Sequence, residues 1–332
     1  MDGDALLSVR DLKTYFFPEE GTVRAVDGAH LDVYPRRTLG IVGESGCGKS
    51  VTARSILRIV ERPGRIVGGQ ILFSRKGSTV DLAGLSADGR PMREIRGGQI
   101  SLVFQEPMTS FSPVHTIGNQ IVENLRLHQR LTKPEARDRA VELLRSVGIP
   151  RADQRLEAYS FQLSGGLRQR AMIAMALACD PLLLIADEPT TALDVTTQAQ
   201  ILDLLRHLQK QRGMSIILIT HNMGVIAEMA DEVVVMYLGK VVERGPVDAI
   251  FHSPKHPYTQ ALLRSIPSIR AEPRTHLPTI SGSVPHPFDR PVGCPYHPRC
   301  PAFIAGTCDA DEPMLVAVGE RQQASCFLYE GA

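Results

Sequence analysis

The sequence predicts an α/β fold, a parallel sheet carrying a phosphate-binding loop, and three stretches of its 332 residues carry that reading. In the first, a short apolar run at 38–42 precedes GESGCGKS at 43–50, which has the spacing G-x-x-x-x-G-K-[ST]. The second is PLLLIADE at 181–188, aliphatic without polar alternation and ending in two carboxylates, as a central strand covered on both faces does. The third is LSGGLRQR at 163–170, where Ser164 reads as an N-cap for a buried helix over 167–179.

Each stretch implies a chemistry. Glycines at 43, 46 and 48 let backbone N–H groups wrap a polyphosphate without Cβ clashes. Lys49 reaches the β- and γ-phosphates, and the Ser50 hydroxyl takes a place on Mg²⁺. A helix expected over 51–60 points its positive end at the anion. The loop's ATP-binding set is Gly43, Glu44, Ser45, Gly46, Cys47, Gly48, Lys49, Ser50 and Val51. Asp187 fits the acid that holds Mg²⁺ through water, and Glu188, facing another way, orients and deprotonates the attacking water. Capping the next helix is the plainer role for both carboxylates; the phosphate loop upstream favours the catalytic one. The Ser-Gly-Gly turn is a second anion site, and a chain with one phosphate loop has no local use for it.

A coarse pass places the rest. Residues 7–17 and 23–33 read as strands of a small antiparallel sheet, and 68–73 and 100–104 add strands. Residues 117–128, 133–147 and 195–211 read as helices, the first two within a helical subdomain over about 107–160. Residues 108–113 (MTSFSP) read as an exposed turn, and 232–240 as a hairpin. Each motif occurs once, with no internal repeat.

Composition bounds the function. With 43% hydrophobic and 22% charged residues, the chain buries a full core and fits two domains. A net charge of +1 offers no broad field for nucleic acid. Residues 1–10 hold two aspartates and no apolar core, so no signal peptide is expected. The apolar stretch 171–186 is broken by Asp180 and Pro181, so no span of a bilayer is expected.

The order of phosphate loop, LVFQEP, LSGG, the Asp187–Glu188 pair, Ala192-Leu193-Asp194 and His221 resembles the nucleotide-binding domain of ABC transporters over about residues 5–250. The resemblance implies a P-loop NTPase (RecA-like) core with an N-terminal antiparallel β subdomain and a helical subdomain. It implies that Gln105 senses Mg²⁺ and the transmembrane partner, and that His221 contacts the γ-phosphate with Lys49. Phe16, with Tyr15 beside it, is the candidate for stacking on adenine. Ser164, Gly165, Gly166 and Gln169, with Asp194, would meet the ATP of a partner subunit. The Mg²⁺ set is then Ser50, Gln105 and Asp187, and the catalytic set Glu188, His221 and Lys49. Rival classes are an ABC ATPase acting on nucleic acid, and a kinase- or GTPase-type module in which LSGG is coincidence.

The chain changes character near residue 252. Twelve of its 23 prolines lie at or after Pro254, which predicts an irregular extension over 254–332 instead of more sheet, leaving 1–253 as the nucleotide-binding domain. HPYTQALL at 256–263 and GCPYHPRCPAFIAGTCD at 293–309 resemble the oligopeptide/dipeptide (and nickel) importer subfamily. Cys294, Cys300, Cys308 and Cys326 are separated by five, seven and seventeen residues, without the tight chelate usual for structural zinc. Such spacing suits a Cys₄ iron–sulfur cluster, with zinc or no metal as alternatives, and the resemblance implies [4Fe–4S]. Cys47 and Cys179 need no chemistry. The subfamily implies a peripheral ATPase on the cytoplasmic face of the inner membrane. Its partners would be a second ATPase in a heterodimer, two transmembrane permease subunits and an extracytoplasmic binding protein. The expected cargo is a dipeptide or oligopeptide, with nickel as the alternative.

Overall fold

The computed structural model describes residues 4–75, 77–106, 110–191, 193–266 and 280–330. Among them the strands are β1 (Leu7–Phe16), β2 (Val23–Val33), β3 (Thr38–Val42), β4 (Gly64–Arg75), β5 (Ser78–Asp81), β6 (Ile100–Val103), β7 (Leu183–Asp187), β8 (Ser215–Ile219), β9 (Glu232–Tyr237), β10 (Lys240–Pro246), β11 (Leu315–Gly319) and β12 (Gln322–Ser325). The chain forms two compact units, one from the described residues of 1–33, 38–84 and 220–332, the other from those of 34–37 and 85–219.

The first unit holds two sheets. In the antiparallel one, of order β2-β1-β4-β5, alternate residues of β1 (Leu7, Val9, Leu12, Thr14) are buried. The second sheet runs β11-β12-β10-β9-β3 in this unit. All five residues of β3 are buried, and it pairs in parallel with β9 from Leu39↔Glu232 to Val42↔Val235. Helix Lys49–Ile56 follows β3. It starts earlier than expected because Gly48 adopts the left-handed N-cap conformation, and it ends where Arg58 turns to φ 57°.

The expectation of irregular chain beyond residue 254 needs correction. Helix Pro257–Arg264 forms there, with Pro257 in the first turn, where a missing N–H costs nothing. The β11–β12 hairpin then extends the second sheet by pairing Glu243↔Ala324 and Arg244↔Gln323. It begins after Pro313, where the backbone regains an unbroken series of N–H donors.

The tie between the sheet and this extension is polar and fully buried. Glu243, with no exposed surface, accepts from the amides of Lys255 (2.8 Å) and His256 (2.9 Å) and from Gln322 Nε2 (2.8 Å). His256 Nδ1 accepts from the Tyr258 amide at 3.0 Å, and burial depresses the imidazole to about 3, so the ring is neutral.

In the second unit, β6, β7 and β8 form a parallel run, Ile100↔Leu183 and Leu183↔Ser215, with every residue of β7 and β8 buried. The helical segment comprises Ile117–His128, Lys133–Ser146, Ala152–Arg155 and Gly165–Ala176. The first buries Ile117, Ile121 and Leu125, one face at helical spacing. A Thr132–Glu135 capping box starts the second. Of the turn expected at 108–113, Met108 and Thr109 lie outside the described residues. Phe111 is 2% exposed, so it packs inward instead of being displayed. Among the described residues, no helix is long and apolar enough to cross a membrane.

Candidate active site

The phosphate loop, 43–50, belongs to the first unit and demands glycine by direct contact. A Cβ on Gly43 (φ 150°) would lie 2.2 Å from Met236 O, and one on Gly48 (φ 103°) 2.2 Å from Ala25 O. Lys49 is buried, and its Nζ donates back across the loop to Gly43 O (2.8 Å) and Glu44 O (3.0 Å). The helix it opens has no side-chain cap and no acid in its first turn, so its first N–H groups keep their pull on an anion. Cys47 is buried, and burial pushes its thiol up, an inert filler beside Gly43.

The two aromatics expected at the adenine diverge. Tyr15 Oη donates to Asp27 Oδ1 at 2.7 Å, and burial together with that bond pushes the phenol up to about 12. Its ring sits 6.5 Å from Phe17. Phe16 lies against Val60 and Gly64, whose missing Cβ would be 2.6 Å from its ring. Tyr15 thus ties β1 to β2 through its hydroxyl. His221, also of the first unit, is exposed and precedes Asn222, whose Oδ1 caps helix Met223–Met229 by accepting from Gly224 N (2.9 Å).

The acids lie in the second unit. Asp187 ends β7, 6% exposed, and Glu188 follows at φ 46°, a left-handed conformation that turns its side chain off the strand line. Glu188 Oε2 accepts from Gln105 Nε2 (3.1 Å) and Thr191 Oγ1 (2.8 Å). Neither carboxylate caps the next helix; that role falls to Asp194, which accepts from Thr197 N (2.9 Å) and Thr197 Oγ1 (2.7 Å) ahead of Val195–Arg212.

Ser164 caps helix Gly165–Ala176, accepting from Leu167 N at 3.4 Å, and is exposed, as is Gly165. A Cβ on Gly166 would stand 2.8 Å from Thr197 Cγ2, so the glycine turn and the Asp194 turn pack together. Ala192 lies outside the described residues. Gln169 departs from the exposed turn: at 2% exposure it belongs to the buried side of its helix.

Cys294, Cys300, Cys308 and Cys326 all line one small recess, walled by Tyr296, Ile304, Phe327 and Leu328. None forms a disulfide. Burial pushes Cys294 up to about 11 and raises Cys300 and Cys326 as well. Among the described residues, no group of three or more His, Cys, Asp or Glu is placed to hold a metal ion.

The model of the ABC transporter family matches residues 26–191, and that of the oligopeptide/dipeptide transporter C-terminal region matches 242–308. The chain belongs to the ABC transporter family. This ABC ATPase is 47% identical over 322 residues to the dipeptide transport ATP-binding protein DppD of Escherichia coli, covering 97% of this chain and 96% of that one. It is 47% identical over 337 residues to DppD of Haemophilus influenzae, covering 99% of this chain and all of that one. A dimeric ATP-binding cassette, MJ0796, solved after hydrolysis with ADP and Pi bound, matches with a TM-score of 0.64 at 25% identity, over 73% of this chain and 98% of that one. The α/β P-loop NTPase fold expected from the sequence is the fold of the ABC ATPase.

Sequence reasoning missed three contacts at the site: Thr191 on Glu188, and Tyr258 and Arg299 on Glu44. The last had a signal, an acid within an anion-binding loop, which calls for a cation close by. Nothing in the sequence says that the cation lies 255 residues downstream.

Proposed function

We propose that this ABC ATPase hydrolyses ATP to power a membrane importer of dipeptides or longer peptides. The observation that carries the cargo is the run of similarity through residues 242–308 into proteins named for dipeptide transport. That naming favours peptides over nickel, and over a role on nucleic acid. ATP lies along residues 43–51 with its base on Phe16. Ser50, Gln105 and Asp187 offer the oxygen donors that a hard cation such as Mg²⁺ takes. Lys49 and His221 counter the negative charge that grows on the γ-phosphoryl oxygens. Glu188, steered by Gln105 and Thr191, takes the proton of the attacking water.

In this reading Ser164, Gly165, Gly166 and Asp194 serve the nucleotide of a second ATPase, a different chain, so the pair is a heterodimer. The dimeric state of MJ0796 supports the pairing. Two permease subunits dock at the helical subdomain near residues 105–115, an extracytoplasmic binding protein delivers cargo, and the ATPase sits peripherally on the inner membrane's cytoplasmic face. The test is to purify this chain with its membrane subunits, reconstitute them in vesicles and follow a labelled dipeptide. ATP-driven accumulation is expected; accumulation of nickel without peptide would overturn the cargo.

We propose, too, that Cys294, Cys300, Cys308 and Cys326 hold a [4Fe–4S] cluster. Four unpaired thiols around one apolar recess support this, because burial makes thiolates costly there unless a positive centre compensates. Anaerobically purified protein should absorb near about 400 nm and carry about four irons per chain. A Cys300→Ser variant should lose both, and an iron-free, colourless preparation would end the idea.

A further inference from the structure

Glu44 puts a carboxylate at the second position of a loop that receives a triphosphate. Unpaired, that charge would oppose the ligand. It is paired instead with Arg299: Nη1 donates to Oε2 at 2.7 Å and Nη2 to Oε1 at 3.1 Å, a two-pronged bridge whose arginine side chain is 3% exposed. The guanidinium is fixed in turn, Nε donating to Ser281 O at 2.9 Å and Nη1 to Tyr237 Oη at 3.3 Å. The Glu44 amide donates to Tyr258 Oη at 2.8 Å, which withdraws that N–H from any phosphate. Tyr237, Tyr258 and Tyr296, all buried, pack at centroid distances of 4.7 to 5.3 Å and wall in the arginine. Residue 44 is therefore gripped at amide and carboxylate by side chains from far beyond the nucleotide-binding core.

We propose that Arg299 is a positioning residue of the ATP site, neutralising the Glu44 carboxylate and bracing the start of the phosphate loop. The inference rests on residues 43–50 being that site. It makes the C-terminal extension a working part of nucleotide binding. Arg299 adjoins Cys300 in the chain, so the packing of the cysteine segment sets where the guanidinium lies.

Titration of the full chain with a fluorescent ATP analogue and Mg²⁺ tests the proposal. Arg299→Met is expected to bind about tenfold more weakly, an effect of about 1.4 kcal/mol. Glu44→Gln, which leaves a cation without its carboxylate beside the site, should bind about threefold more tightly than the unaltered protein. The Arg299→Met/Glu44→Gln double variant should return to within about threefold of Glu44→Gln, because no bare carboxylate remains. A double variant as weak as Arg299→Met means that the arginine acts by shape alone, and overturns the proposal. So does Arg299→Met binding like the unaltered protein. Should Arg299→Met fail to fold, as read by circular dichroism, Glu44→Gln decides alone: binding no tighter than that of the unaltered protein refutes charge neutralisation. A different result, unaltered protein and Lys49→Ala binding the analogue alike, would instead defeat the reading of 43–50 as the ATP site.

Discussion

Glu188→Gln leaves ATP binding within a few-fold of the unaltered ATPase and slows phosphate release by about 10²–10⁴-fold, the range of a lost general base. The amide keeps the size and hydrogen-bonding reach of the carboxylate, so the contacts from Gln105 Nε2 and Thr191 Oγ1 have an oxygen to meet. What the amide lacks is the basicity to accept a proton from water. The two readouts separate chemistry from binding: single-turnover phosphate release with the membrane subunits present, and nucleotide retained after rapid gel filtration. Hydrolysis near the unaltered rate would remove Glu188 from the role of base. Loss of binding instead would mean that its contacts hold the site in shape. Thr191→Val should show a weaker form of the same defect, since only the orientation of the base is disturbed.

Glu243→Ala should destabilise the first unit by about 2–4 kcal/mol, because two backbone amides lose their acceptor and the Gln322 side chain loses one of its two. The amides of Lys255 and His256 and the side-chain amide of Gln322 all converge on this one carboxylate. The His256 amide is the most isolated of the three, since His256 and Glu243 are buried, whereas Lys255 is half-buried and Gln322 Nε2 also donates to Ser253 O at 3.0 Å. Urea unfolding followed by tryptophan-free signals suits the chain, which has no Trp, so far-ultraviolet circular dichroism is the readout. A midpoint unchanged by the substitution would show that the tie between β10 and the extension carries no net energy. Glu243→Gln, which keeps an acceptor oxygen for part of the set, should lose less.

The nucleotide-binding half of the chain was legible because its signals are local. Gly43, Gly48 and Lys49 are needed where they stand whatever surrounds them, since a loop that wraps phosphates needs open backbone and one long cation. The largely aliphatic strands at 38–42 and 183–187 were legible for a similar reason: strands covered on both faces carry such sequences. Helices 117–128 and 133–146 announced themselves by their helical period.

The structure departs from expectation where long-range contact decided. Gln169 sits five residues past Ser164 in the same motif, yet helix geometry turns it to the buried side. Phe111 reads as part of a polar turn and packs inward. The β11–β12 hairpin, in a chain segment read as irregular, forms because β10 offers it an edge to pair with.

By itself the sequence determined that this protein is an ATP-binding P-loop ATPase, because the spacing that marks such a loop acts over a few neighbouring positions. Only the tertiary structure decided that Glu44 is held by Arg299 and Tyr258, that Glu243 anchors the extension, and that four scattered cysteines share one recess. Those facts depend on chain segments that are distant in sequence and meet only on folding. Side-chain types can suggest such a partner, but only the packed chain brings it within hydrogen-bond reach.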